Sequence, residues 1–534
     1  MVRNNDVVVR RRPGRYVRSG AALVVGASLL ATFGGLAPAS ASAAPLRHAG
    51  RSAAASSGGT LVIGDTSSVQ KLDPDVVTNF LDFQALGLIY DQLVQYNSKL
   101  QLVPDLATSW AYSNDNKLLT FQLRKGVTFD DGTPFTSANV VVSMERALDP
   151  KTGDASASFL TNVEKIKATG PYTVEFILSR PDTSILDGLT SVNLSILSTK
   201  AVGANTLAKQ PDGTGPYEFS SWSPGNTFVM KPNPFYWGGK PSIGTIKIET
   251  IPSEQSIASA VEANTVQLGL LTEPQVATHL PSGIKVQTVL DLTYRALMLQ
   301  DKTGPLSKTD NRLAIACAVD RKQVLEDAVF GAGQVVGPVP LGQFASNPVS
   351  AVCPSTSVAT AKSYLQKAGN PKGFTFTALT STDLDPTSAA QATVVQSDLA
   401  KVGIKMDIQN LAGDAYIQDW LKGSFQAAFA WNGADPNPYT MYGRYFGAGA
   451  NLGVPAGYSS ATLQKLLVQG DQATGAAAQT SDWKQFSNAL TSKAVWIWLF
   501  TAYDYAAVAS SLHGFTLNPT NSTSLNSLRS ATLS

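Results

Sequence analysis

ATAKSYLQKAG (359–369), FTFTALTS (374–381), TSAAQATVVQSDLAKVG (387–403), IKMDIQNL (404–411), DAYIQDWLK (414–422) and FQAAFAW (425–431) follow one another almost without a break. The first, third and fifth carry apolar residues at helical spacing. The first and third stop at Gly369 and Gly403, glycine being the residue that most readily adopts the left-handed turn that closes a helix. The other three are apolar runs of strand length. Strands alternating with helices of this length predict an α/β fold, with a parallel or mostly parallel sheet carrying helices on its faces.

That rhythm makes FQAAFAW a buried strand and NGADPNPY (432–439) the loop leaving its carboxyl end. In open α/β sheets, ligands occupy crevices at those ends. The loop holds one carboxylate, Asp435, among Gly433, Pro436, Asn437 and Pro438. A buried carboxylate without a partner is unfavourable, so a protein cation or a group from outside must face it. Alternatively it caps its own loop through backbone amides beyond Pro436. Trp431 and Tyr439 flank it, and aromatic walls with a few placed polar groups are how ligand clefts are built. Trp420, on an expected helix, reads as core.

Further out, LTFQLR (119–124) alternates as a half-buried strand and VTF (127–129) is a second, with DDGTP (130–134) as a turn. Thr136 stands where a helix N-cap belongs, and Val140, Val141, Met144, Ala147 and Leu148 line one face of the helix after it. NFLDFQALGLIYDQLVQYN (79–97) reads as one helix, and SEQSIASAVEAN (253–264) as another. Cys317 and Cys353 leave two readings open, a disulfide in an exported protein or a free thiol in the apolar run NRLAIACAVDR.

The amino terminus reads as an export signal over residues 1–43. Six arginines precede the apolar stretch 21–36, which is shorter than the roughly 20 residues a spanning helix needs, and PASASAAP (38–45) supplies a cleavage site near Ala41 or Ala43. No cysteine stands there to carry a lipid. Residues 44–57 form a flexible tether rich in Ala, Ser and Gly. Removing residues 1–43 takes away six arginines and one aspartate and moves the formal charge from +2 to about −3, which leaves no basic field for nucleic acid. The remaining chain, about 490 residues, is long enough for two or three domains.

Chemistry is sparse. His48, His279 and His513 lie far apart and read as surface or structural residues, so neither a metal nor a cofactor is expected. No H-E-x-x-H, G-x-S-x-G or phosphate loop occurs. GAGQVVG and GAGANLG, from Gly331 and Gly447, have three residues rather than two between their last glycines and read as loops. Asp130 and Asp131 are turn formers rather than a glycosidase dyad. Nothing argues for an enzyme, and a secreted hydrolase stands as the alternative of another class.

Four blocks carry a family resemblance: VPDLATSW (103–110) with 119–148; GTGPYEFSSWSPGNTFVMKPNPFYWGGKP (213–241); NRLAIACAVDRKQVLEDAVFGAG (311–333); and AAFAWNGADPNPYTMYGRYF (427–446). Together, and in this order, they resemble the family 5 extracellular solute-binding proteins of ABC importers, the dipeptide and oligopeptide-binding group. The resemblance implies a two-lobed periplasmic-binding-protein-like clamp with an extra subdomain. Lobe one would gather residues 58–93, 214–290 and 495–534, with 94–213 as the added subdomain and 291–494 as lobe two. A hinge of two chain crossings would lie near 290 and 494. The implied function is capture of short peptides by lobe closure and delivery to a membrane permease, by a monomeric, exported protein, periplasmic or at the cell surface. A nickel complex, an oligosaccharide or another small solute is the alternative ligand. The family's ammonium-binding aspartate matches Asp435, with Trp431, Gly433, Asn437 and Tyr439 around it as ligand-binding residues. The usual second Asp-Pro step is Asn437-Pro438 here, and Asn139 replaces the acidic residue that would complete a capping box. Arg295, Arg312 and Arg444 are the candidates for a ligand carboxylate.

Overall fold

The computed structural model describes residues 58–534 apart from 155, 303, 339–351, 434, 449, 451, 474 and 521–523. The expected signal (1–43) and tether (44–57) lie outside the described residues. Among those described, no helix is long and apolar enough to cross a membrane.

Helices Val358–Lys367, Ser388–Ala400 and Gly413–Lys422 alternate with strands Thr375–Thr380, Lys405–Asn410 and Ala427–Gly433. Thr375–Thr380 pairs in parallel with both of the other strands. Gly403 takes φ +85°, and its carbonyl runs so close to Gly373 that a Cβ on Gly373 would sit 1.9 Å from it. Side chains at both places are therefore excluded. Ala361, Leu365, Val395 and Leu399 turn inward from the helices onto Phe376, Ala378 and Phe429 of the strands. Cys317 and Cys353 form a disulfide within this core, their Cα atoms 5.1 Å apart, which decides between the two readings of the thiols.

The parallel character does not extend across the whole sheet. Twelve strands are linked, and Ala427–Gly433 pairs antiparallel with Thr293–Leu299, which pairs antiparallel with the first half of Trp496–Val508. The second half of Trp496–Val508 pairs antiparallel with Lys285–Leu290 and Leu268–Leu271. Beyond lies a second parallel group, Thr60–Asp65 between Leu268–Leu271 and Thr245–Thr250, followed by the antiparallel strands Thr227–Pro232 and Tyr217–Ser223. The sheet is thus mixed: two parallel groups joined by antiparallel strands. Lys285–Leu290 and Thr293–Leu299 pair with the two halves of Trp496–Val508, so the chain passes between the two groups at residues 291–292 and, on its return, inside that long strand near 501. The two passages are tied together, because the Asp291 N–H donates to the Ala502 carbonyl at 3.0 Å and the Thr501 hydroxyl to the Asp291 carbonyl at 2.6 Å.

A separate four-stranded antiparallel sheet runs in the order Ala107–Ser113, Leu118–Leu123, Thr173–Leu178, Val163–Gly170, and contributes to a third core together with helix Ser137–Leu148. Leu118–Leu123 alternates between buried and less buried residues as its sequence predicts. Three expectations fail here. VTF makes only an isolated bridge, Thr128 to Pro134; Leu148, at the helix end, is exposed; and Asn139 does serve the cap, its side-chain oxygen accepting the Thr136 N–H at 2.9 Å.

The helix expected over 79–97 stops at Leu86. Its continuation is diverted because the carbonyls of Leu88 and Ile89 accept the Tyr217 and Gly215 amides, at 3.0 and 2.8 Å. A Cβ on Gly213 or Gly215 would meet the Ile89 backbone at 2.1 or 2.7 Å, which explains both glycines of G-T-G-P-Y. Thr214 and Trp237 then donate to the buried Asp91 carboxylate, at 3.0 and 2.8 Å, and Arg529 closes the ion pair at 2.6 Å.

Candidate functional site

Strand Ala427–Gly433 buries Ala427, Ala428 and Phe429 and then brings Trp431 to the surface, where the ring is 40% exposed. Its partner is Phe80, at the start of helix Phe80–Leu86, with ring centroids 6.2 Å apart. This pair stands between two cavities and lines both, one of about 460 Å³ and one of about 480 Å³. Each is large enough for a small organic ligand.

The first cavity is walled by Trp431, Gly433, Asp435 and Arg444 on one side and by Phe80, Tyr96 and Asp187 on the other. Gly433 has φ +113°, and a Cβ there would meet the Leu292 carbonyl oxygen at 3.0 Å, so the wall needs glycine at that point. The half-buried Asp435 carboxylate makes no hydrogen bond or ion pair with any described residue. Burial pushes its pKa up to about 6, against the opposing charge of Arg444. Asp187, across the cavity, is pushed up to about 7 by burial, although Tyr96 and Asn437 both donate to it, and Asp435 adds repulsion. A cavity with two carboxylates, one of them unpartnered, and one guanidinium suits a ligand bearing a positive group.

Trp431, Gly433 and Asp435 therefore stand together on the cavity wall. Asn437 and Tyr439 are not among the residues that line it. Asn437 is 2% exposed: its side-chain oxygen caps helix Pro438–Phe446 by accepting the Tyr439 N–H at 2.8 Å, and its amide nitrogen donates to Asp187 at 2.6 Å. An aspartate at 437 could do the first but would repel Asp187, so the departure from Asp-Pro has a physical reason here. Tyr439 accepts a hydrogen bond from Arg180 at 2.8 Å, and Arg180 pairs with the fully buried Asp471 at 2.6 Å. Ser184 N–H also donates to Asp471, at 3.1 Å. These contacts clasp Arg180, Ser184 and Asp187 to Asn437, Tyr439 and Asp471.

Arg312 is buried and donates to the carbonyls of Leu306, Ser307 and Lys493, while Arg321 donates to Ala316 and Trp498, so both are structural. Arg444 lines the first cavity and Arg295 the second. Trp420 packs against the core, as expected. Sequence reasoning missed Asp187, Arg180 and Asp471. None has a local signal, since their partners lie some 90 to 290 residues away.

Comparisons with known proteins agree with this architecture. The probable D,D-dipeptide-binding periplasmic protein DdpA of Escherichia coli K12 is 28% identical over 479 residues, covering 86% of this chain and 92% of its own. The dipeptide-binding protein of the same organism is 25% identical over 430 residues, covering 73% and 79%. Among solved structures, the ABC transporter-associated periplasmic binding protein DppA of Helicobacter pylori, in complex with the peptide STSA, superposes with a TM-score of 0.73 at 25% identity, over 89% of this chain and 98% of its own. Residues 101–453 match the model for bacterial extracellular solute-binding proteins, family 5, and that match spans the cavity wall at Trp431 to Arg444 as well as the clasp residue Arg180. A two-lobed α/β clamp with an aromatic-walled cavity, and a carboxylate in it that no described residue hydrogen-bonds, is thus built on a chain that belongs to the family 5 bacterial extracellular solute-binding proteins.

Proposed function

We propose that this chain is the substrate-binding component of an ABC importer, capturing short peptides between its lobes and delivering them to a membrane permease. The observation that carries this reading is the Asp435 carboxylate, half-buried, facing a cavity of about 460 Å³ and making no hydrogen bond or ion pair with any described residue, with Arg444 acting on it through its charge alone. A peptide's α-ammonium is the cation that completes it, a charge-assisted hydrogen bond worth about 1.5 to 3 kcal/mol net. Trp431 and Gly433 shape the wall at that point; Asn437 and Tyr439 act behind it, through Asp187 and Arg180. The named peptide-binding relatives support the ligand class.

In this reading lobe one comprises 58–93, 214–290 and about 501–534, with 94–213 as its added subdomain, and lobe two comprises 291 to about 500. The tied passages at 291–292 and near 501 are the hinge. A ligand touching both lobes favours the closed state by its differential affinity for it. The protein holds its ligand without turning it over, works as a monomer, and is exported with cleavage near Ala41 or Ala43.

The test is to titrate the signal-free protein with di- to tetrapeptides, following its thermal midpoint and the integrity of the peptide. A ligand at 100 times its Kd adds about 2.7 kcal/mol to a folded state that alone binds it. A raised midpoint with intact peptide supports the reading. Cleaved peptide would replace it with a hydrolase, and no shift with any peptide would remove peptides as the ligand class.

A further inference from the structure

The second cavity differs from the first in its charge. Asp65, Glu254, Glu273, Asp291, Asp385 and Asp504 line it, and Arg295 is the one cationic side chain among its lining residues. Arg295 is already committed. Its Nε lies 3.8 Å from Asp385, its Nη1 donates to Thr293 at 3.3 Å, and its guanidinium lies over Trp431 and Phe500, at 5.4 and 5.8 Å from the ring centroids. One guanidinium faces six carboxyl groups, a lining that disfavours anions; burial and the neighbouring Asp291 push the Asp504 pKa up, so a cation beside it would favour its charged form.

Most of the carboxylates are held by the protein. Glu254 accepts the amides of Thr272 and Glu273 at 2.8 Å, Asp385 accepts from Thr387 and Gln391, Asp65 accepts the Ser67 amide at 2.6 Å, and Asp291 accepts from Thr293. Asp504 accepts from no described residue, though it lines the cavity from strand Trp496–Val508. Ser524 lines it too, and although only 3% exposed, its hydroxyl has no hydrogen-bond partner among the described residues. An unmet carboxylate and an unmet buried hydroxyl facing one cavity are what a donor-bearing cation would satisfy. Among the described residues no three His, Cys, Asp or Glu side chains are grouped to hold a metal ion, so an organic cation is the better match.

The walls fit a cation on an apolar stem. Phe80, Trp431 and Tyr503 line the cavity, as does Phe330, which is 62% exposed. Such rings pack the methylene stem of a lysine or arginine and attract its charged head. The cavity shares Phe80 and Trp431 with the one that holds Asp435, so a peptide held at Asp435 can send a side chain past this pair.

We propose that the second cavity is the subsite for a positively charged side chain, so that the substrates of this protein are basic peptides. This rests on the peptide reading above. The experiment is calorimetric titration of the signal-free protein with an alanine tripeptide scaffold in which one residue at a time is lysine, arginine, norleucine, acetyl-lysine or glutamate, with 1,5-diaminopentane alone as a further ligand. At one position, lysine and arginine should bind at least about tenfold more tightly than norleucine and acetyl-lysine, with glutamate weakest, since a charge-assisted bond is worth about 1.5 kcal/mol or more. In Asp504→Asn the lysine-to-norleucine ratio should fall toward one. Equal binding of lysine and norleucine in the unmodified protein would overturn the proposal while leaving peptide binding intact, and so would a lysine preference unchanged in Asp504→Asn. Diaminopentane binding as tightly as the lysine peptide would assign the cavity to free diamines instead. If no peptide binds at all, the peptide reading fails first and this subsite falls with it.

Discussion

Asp471 and Asp435 are two carboxylates of the same segment in opposite company. Asp471 is fully buried and saturated: Arg180 pairs with it at 2.6 Å and Ser184 donates an amide, while the neighbouring Tyr439 takes the other end of the guanidinium. Asp435, on the cavity wall, has no hydrogen-bonding partner among the described residues. Burial raises the pKa of both; at Asp471 Arg180 opposes the shift through a direct ion pair, whereas at Asp435 Arg444 opposes it through its charge without a hydrogen bond. The difference separates two jobs. The clasp behind the cavity is finished within the protein, whereas the cavity keeps a carboxylate unfinished so that something from outside can complete it.

The comparison breaks most visibly at the clasp. Arg180→Ala leaves Asp471 buried without its counter-charge and should lower stability by about 3 kcal/mol in chemical denaturation. The discrimination between peptides with free and blocked amino groups should survive. At the cavity the order of effects reverses. Asp435→Asn should leave unliganded stability unchanged or slightly higher, since it removes an unfavourable buried charge, while weakening peptide binding by about 1.5 to 3 kcal/mol in calorimetry.

Acidity sharpens the contrast further. Asp435 titrates near 6 in the folded chain, above the ordinary aspartate value, so its charged form costs stability above that pH and the cost disappears as protonation proceeds below it. Ligand binding runs the other way, because the ammonium needs the carboxylate. Peptide affinity should drop about tenfold between pH 7 and pH 5, and the drop should shrink in Asp435→Asn. Asp187, Tyr96 and Arg444 also face this group, so the difference between the two proteins, rather than either profile alone, is the measure. The smallest effect belongs far from both regions. Asn139→Ala removes the bond to the Thr136 amide and should cost about 1 kcal/mol of stability with no change in peptide affinity.

The alternation over 359–431 was legible because each helix has one apolar face and a glycine stop, and each strand the right length. The antiparallel joins were not, because Thr293–Leu299 and Trp496–Val508 are nearly continuous apolar runs, and such runs carry no sign of the direction of their neighbours. The helix read over 79–97 failed for a related reason. Leu88, Ile89 and Tyr90 keep helical spacing, yet their apolar side chains serve a non-helical backbone that meets Gly213 and Gly215. Asp435 could be singled out from its place at the end of a strand. Asn437 and Tyr439, two and four residues on, point away to partners that only the fold supplies, and Asp504 gains its meaning from five acidic neighbours scattered between residues 65 and 385.

The measurement closest to the central claim is the dissociation constant of one tripeptide, with its amino group free and acetylated, on the unmodified protein and on Asp435→Asn at pH 7.5. Acetylation should weaken binding to the unmodified protein about ten- to a hundredfold and make little difference to Asp435→Asn. Equal binding of the two peptides to the unmodified protein, or an acetylation penalty that persists in Asp435→Asn, would contradict the role assigned to this carboxylate.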